Sequence, residues 1–196
     1  NTAVTRFYHS FTTRYNVYFN GIENYKEQLK EMEEGYEDNF TDLLLMHPAQ
    51  AYANPKDPQQ SGSVDRTIEK CQKAIQLHSI KKRPKRNSKK MSDPKYREYM
   101  KRDEYNPFIH NAWRLMGKAQ YYKGDFLGAA ATFLYISRHF TWMPDLVAES
   151  RIWQARCYIA MGWLYEAEDI LLKINNEKLP ESQNNWFATV NADYLV

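Results

Sequence analysis

The residues best suited to chemistry in this chain are five histidines (His9, His47, His78, His110, His139), two cysteines (Cys71, Cys157) and a cluster of glutamates at Glu31, Glu33, Glu34 and Glu37. Two histidines one helical turn apart would offer a metal two ligands on one face, but no H-x-x-x-H pair occurs. HExxH, CxxC, GxSxG and a Gly-rich phosphate loop are absent too. His78 shares a predicted helix face with Ile68, Cys71, Ala74 and Ile75, which makes it a core or boundary residue. The glutamates read as a solvated helix face, because they fall in a run from 23 to 38 with 7 acidic residues against 2 lysines. Two cysteines cannot form a zinc knuckle or a disulfide framework. Both lie in helix-like stretches, which predicts two buried free thiols. Asn39-Phe40-Thr41 matches a glycosylation sequon, a common chance match. These residues give no case for an enzyme, and no metal or cofactor is expected.

The charge is more informative. A net charge of +3 hides a segment at 81–103 with 11 Lys/Arg against 3 Asp/Glu, between two mildly acidic stretches. It opens with Lys81-Lys82-Arg83-Pro84-Lys85-Arg86-Asn87-Ser88-Lys89-Lys90. Such a run attracts an anionic partner, and its like charges keep it extended. No recognition helix, RNP motif or aromatic stacking platform accompanies it, so nucleic acid is not expected. Ile80, Met91, Pro94, Tyr96, Tyr99 and Met100 give the segment apolar anchors. Pro94–Arg102 is therefore predicted to pack onto the helices while Lys82–Lys90 stays accessible for an anionic partner.

The elements that must position these residues are helical. Aromatics make up 15% of the chain, too many for a disordered one. With only 7 Gly and 8 Pro, a turn-dense all-β fold is disfavoured. No run approaches the roughly 18 apolar residues of a membrane span. Helices are predicted at about 2–20, 22–35, 63–80, 94–102, 107–123, 125–139, 144–161, 163–176 and 182–195. Asn20-Gly21 is read as the break in an N-terminal hairpin whose first helix carries Phe7, Phe11, Tyr15, Tyr18 and Phe19. Residues 42–62, with Pro48, Pro55, Pro58 and Gly62, read as an extended loop.

A repeat sits in the second half. At an offset of 38, Gly124 aligns with Gly162, Gly117 with Ala155, Ala119 with Cys157, Ala129 with Ala167 and Phe133 with Leu171. Small residues fall on small and large apolar on large. Each unit reads as two helices around a tight glycine turn. The small residue of the first helix admits the second helix closely, and neither unit buries its apolar face alone. Residues around Phe140–Leu146 are expected to lengthen the link between units. A third unit opens at Trp186 and supplies one covering helix. Trp113, Gly117, Phe126, Ala129, Phe133, Ala155, Cys157, Tyr158, Ala167 and Leu171 are the predicted core.

The pattern W-x-x-x-G…G-x-F-x-x-A-x-x-x-F, here Trp113, Gly117, Gly124, Phe126, Ala129 and Phe133, resembles the tetratricopeptide repeat. The period exceeds the usual ~34 residues. The resemblance implies an all-α solenoid of antiparallel helix pairs. Residues 1–106 form an irregular helical region, and 107–196 hold two repeats plus the first helix of a third. It also implies binding through a concave groove lined by first-helix side chains: Asn111, Arg114, Lys118 and Tyr122, with Glu149, Ile152, Arg156 and Ala160 as their equivalents. Arg114, Lys118 and Arg156 would make that groove basic and suit an acidic or carboxylate-ended peptide. A second candidate partner surface is the basic run, at Lys82, Arg83, Lys85, Arg86, Lys89 and Lys90.

Arg14-Tyr15-Asn16-Val17-Tyr18-Phe19-Asn20-Gly21, the block from His78 to Arg86, and Glu104-Tyr105-Asn106-Pro107-Phe108 resemble the opening of the PorW/SprE tetratricopeptide lipoproteins of Bacteroidetes. That resemblance implies a non-catalytic scaffold of type IX secretion and gliding, on the periplasmic face of the outer membrane. Its partners would be other secretion-machine components, and it would touch the membrane only through a lipidated cysteine upstream of Asn1. On this reading the chain is a piece of a longer protein. Another periplasmic helical-repeat lipoprotein, for outer-membrane assembly or glycan binding, is the alternative.

Overall fold

In a computed structural model that describes residues 1–37, 40–41, 63–177 and 179–195, the chain is all helical, with no strand among the described residues. The helices are α1 (Ala3–Thr12), α2 (Phe19–Gly35), α3 (Asp65–His78), α4 (Pro94–Met100), α5 (Ile109–Tyr122), α6 (Phe126–His139), α7 (Pro144–Ala160), α8 (Leu164–Asn176) and α9 (Asn184–Leu195). A π-helical segment, Thr13–Tyr18, joins α1 to α2. The expected loop at 42–62 and the sequon at Asn39 lie outside the described residues.

The second half is a stack of hairpins. Helix α5 packs on α6, α6 on α7 and α7 on α8, and α9 returns against α7 and α8. The two tight turns are made by Gly124 (φ 84°) and Gly162 (φ 70°), a region that side chains enter only with strain. Asp125 caps α6 by accepting the Gly128 N–H at 2.9 Å, and Pro144 opens α7 where no backbone donor is needed. Between α5 and α6 the spacing is set at Gly117. A Cβ there would stand 2.8 Å from Phe133 Cζ, so the ring lies directly on the helix backbone. Phe133 stacks in turn on Trp153 of α7, with centroids 5.6 Å apart and planes at 16°.

Of the predicted core, Gly117, Phe126, Ala129, Phe133, Ala155, Cys157, Ala167 and Leu171 are buried, while Trp113 and Tyr158 are half-buried. Both cysteines are free and buried, and burial pushes the Cys71 thiol up to about 12. The link between hairpins is only Phe140–Met143. The surplus over the usual repeat length lies in α7, which has 17 residues against 14 in α5, and not in a longer connection.

The N-terminal region departs from expectation. Asn20-Gly21 does not break the helix; the chain runs helically from Ala3 to Gly35. Gly21 is buried because α3 crosses it closely. Thr67 Oγ1 donates to the Gly21 carbonyl at 3.1 Å, and a Cβ at Gly21 would meet Leu115 at 3.6 Å. A Cβ at that distance would make only ordinary contact, so the helix passes through Gly21 without needing a turn there, and the asparagine beside it bonds back to Asn16 O within the helix. The π segment adds a residue per turn and rotates the faces. Tyr18 then packs edge-on to Phe108 while Phe7, Phe11, Tyr15 and Phe19 remain more than half exposed. The opposite face of α1 meets α3, where His9 Nδ1 and His78 Nδ1 lie 3.0 Å apart beside the buried Thr13.

Two outcomes follow. Ala129 is fully buried at the α5–α6 crossing. Ala129→Arg should cost about 3 kcal/mol or more in chemical denaturation, by forcing a charge into that contact. Burial, with His9 adding to it, lowers the pKa of His78, and burial followed by Arg114 lowers that of His110. A histidine held neutral by the fold stabilises it above the unfolded pKa of about 6.5, and that contribution is lost as the pH falls. The melting temperature should therefore drop between pH 7.5 and 5.5, and His78→Gln should flatten the drop.

Candidate binding groove and basic loop

The first helices of successive hairpins, α5, α7 and α9, stand side by side and enclose a cleft of about 450 Å³. Helix α5 contributes His110, Arg114 and Lys118, α7 contributes Leu146, Glu149 and Trp153, and α9 contributes Trp186. The charges are arranged around one acid. Glu149 Oε1 accepts from Lys118 Nζ at 2.8 Å and from Arg114 Nε at 3.2 Å. Lys118 also lies 5.3 Å from the centroid of the Trp153 ring. Burial lowers the Lys118 pKa, and the Glu149 carboxylate works against that shift. The triad carries one net positive charge, which Asp145, also in the lining, offsets, and an incoming carboxylate must compete with Glu149 for Lys118 and Arg114.

Asn111, Tyr122, Ile152, Arg156 and Ala160, also expected in the groove, do not line it. Arg156 is 4% exposed, inside a cage of rings from Tyr121 (5.2 Å), Trp153 (5.4 Å) and Trp186 (4.7 Å). Its charge faces Asp193 of α9, whose pKa is raised by burial and drawn back down by Arg156. Arg156 thus joins α5, α7 and α9 from within. Tyr122 is buried against Tyr25 of α2, with ring centroids 5.7 Å apart, and so ties the first half to the second. Asn111 is half-buried and bonds back to the Phe108 carbonyl at the start of α5. Arg114, Lys118 and Glu149 are the expected groove residues that line the cleft, and Ile152 is fully buried instead.

The basic loop is closed at its base by Glu104. This carboxylate is buried, and its Oε1 accepts the backbone N–H groups of Ile80 (2.7 Å), Tyr105 (2.9 Å) and Asn106 (2.8 Å). Asn106 Nδ2 donates to the His78 carbonyl at 2.9 Å and to Thr13 Oγ1 at 3.2 Å, so α1, α3 and the segment before α5 meet at one side chain. Lys81, Lys82, Arg83, Lys85, Arg86, Lys89 and Lys90 are all exposed. Beyond them α4 buries none of its residues, and the stretch folds back on the loop and on the segments flanking it, where packing onto the helices was expected. Tyr96 Oη accepts the Asn87 N–H, Tyr99 meets Tyr105 edge-on at 5.4 Å, and Arg102 lies 4.8 Å from the Trp142 ring centroid. Asn1 Nδ2 donates to the Lys82 carbonyl, pinning the loop to the start of α1.

Sequence reasoning missed Glu104, the Arg156 cage and the His9–His78 contact. For Glu104 the signal was present: one acidic residue directly follows a strongly basic segment and directly precedes Tyr105-Asn106-Pro107. Among the described residues no three His, Cys, Asp or Glu side chains gather as a metal site, and no helix is long and apolar enough to cross a membrane. No family model matches the chain, and no curated protein shows significant similarity to it.

The burial of Arg156 makes a sharp prediction. Arg156→Ala should cost about 3 kcal/mol in thermal or denaturant unfolding, since it empties the ring cage and strands Asp193. A groove-lining arginine would instead leave the melting temperature unchanged.

Proposed function

We propose that this chain is a non-catalytic protein-interaction scaffold of the tetratricopeptide type, and that it serves type IX secretion and gliding as a lipid-anchored component on the periplasmic face of the outer membrane. The observation that carries the scaffold reading is the groove between α5, α7 and α9. Its walls come from equivalent helices of successive hairpins, and Arg114 and Lys118 of one meet Glu149 of the next across it. The two positive-φ glycines 38 residues apart and the ring-on-backbone contact at Gly117 support the repeat assignment. The secretion role rests on the sequence resemblance. Its support here is that Asn106 and Gly21, residues within the resembling blocks, form the joints of the N-terminal region. The partner groups best matched to the exposed lysines and arginines of the basic loop are acidic polypeptide segments.

The test is affinity capture from an outer-membrane fraction, with the captured proteins identified by mass spectrometry. Wild-type chain should enrich components of the secretion machine. Replacing Lys82, Arg83, Lys85 and Arg86 together by Gln should leave the melting temperature within about 2 °C, because exposed side chains contribute little to stability. The same variant should reduce capture, and wild-type capture should weaken as salt rises from about 50 to 300 mM. Enrichment indifferent to salt and to the four substitutions would remove the basic loop from the interaction.

A further inference from the structure

A second concavity adjoins the groove. Its volume is about 320 Å³, and it shares His110 and Met143 with the groove, so the two form one continuous depression across the start of α5. The character of the lining differs. Tyr99, Phe140 and Trp142 make its walls apolar, and two arginines, Arg6 of α1 and Arg102 after α4, stand in them. Neither arginine has a carboxylate partner among the described residues. Arg6 donates only to the Asn1 side chain, at 2.8 Å. The Arg102 guanidinium is held between two rings, 5.2 Å from the Tyr99 centroid and 4.8 Å from that of Trp142, and its buried Nε has no hydrogen-bond partner.

We propose that this cleft is a binding pocket for a carboxylate borne next to an apolar side chain on a partner polypeptide. The inference rests on the reading of the chain as a polypeptide-binding scaffold and assigns that scaffold a second, chemically distinct subsite. An arginine packed against aromatic rings is partly desolvated, a setting in which pairing with a carboxylate gains more than in open water. Glu104 is the one acid in the wall, and its Oε1 already accepts three backbone N–H groups. Counted with Arg6 and Arg102 it leaves one net positive charge, which matches a monoanion better than a phosphate dianion. Burial keeps His110 below its ordinary pKa, so it adds no charge at neutral pH. The Trp142 ring is engaged by Arg102 and by Phe140, so a sugar finds little free face on which to stack.

The test follows the indole N–H signal of Trp142 by two-dimensional NMR, assigned through its loss in Trp142→Phe. Three probes are titrated into the intact chain: acetyl-Leu-Glu-Phe-amide, acetyl-Leu-Phe with a free C-terminus, and neutral acetyl-Leu-Gln-Phe-amide. A saturable shift is expected with at least one carboxylate probe. Whichever responds tells a side-chain carboxylate from a chain terminus, and the neutral probe should bind about tenfold more weakly or not at all. Arg102→Gln should weaken the carboxylate probe about tenfold. Arg6→Gln, at a residue bonded only to Asn1, should do so without lowering the melting temperature. An equal response to the neutral probe, no response at millimolar concentration, or unchanged affinity in both folded variants would overturn the proposal. Probe failure alongside normal salt-sensitive capture of membrane proteins would remove this pocket and leave the scaffold reading standing.

Discussion

The helices of the second half can stack as they do because Gly117 has no side chain. With the Phe133 ring seated on the α5 backbone, α6 lies close enough for Phe133 to reach across and stack on Trp153 of α7. Trp153 then serves on two sides. It forms part of the groove floor, and it is one wall of the cage that holds Arg156 against Tyr121 and Trp186. One missing Cβ therefore fixes the distance between hairpins, the depth of the groove and the docking of α9. A wider α5–α6 spacing would lift Phe133 from Trp153 and loosen all three.

The first half is organised on a different principle. Beside an apolar cluster in which Ile22 and Tyr25 of α2 and Ile68 and Cys71 of α3 meet Leu115 of α5, its helices are tied by hydrogen bonds to a few buried polar groups. Glu104 gathers three backbone donors, Asn106 bridges α1 and α3, and Thr67 reaches the Gly21 carbonyl. Such joints are directional, and they stabilise only when every member is present. They hold the strongly basic loop as a closed excursion from the body, with its two ends at Ile80 and Tyr105 bonded to each other at 3.0 Å. A loop closed at its base displays its charges at a fixed place, which is what a docking surface for an anionic partner requires.

The close helix crossings and tight turns of the second half were legible because they are written in residue size. Small residues at 117, 129, 155 and 167 mark close helix crossings, and glycines at 124 and 162 mark turns that other residues enter only with strain. The position of Arg156 was not legible. Six consecutive residues of α7, Ile152–Cys157, are buried, because this helix is packed by α6, α8 and α9 at once. A helix covered on nearly every side shows no periodicity from which an exposed face can be read. The continuous N-terminal helix was hidden for a related reason. A glycine beside an asparagine signals a turn locally, and only the packing of α3 across Gly21 shows that the helix continues through it. The π segment shifts the helical faces by a residue, so spacing alone could not show that Tyr18 packs inward while Phe11 and Tyr15 stay in solvent.

The most direct measurement is a double-mutant cycle in denaturant unfolding at Gly117 and Phe133. In an ordinary helix interior, Gly→Ala stabilises by about 1 kcal/mol. Here a Cβ at position 117 would stand 2.8 Å from Phe133 Cζ. Gly117→Ala should therefore destabilise the protein by about 1–3 kcal/mol. In the Phe133→Leu background the same change should become neutral or stabilising, because the ring it collides with is gone. A stabilising Gly117→Ala in the wild-type background would contradict the account, since α5 and α6 would then not be held apart by that contact.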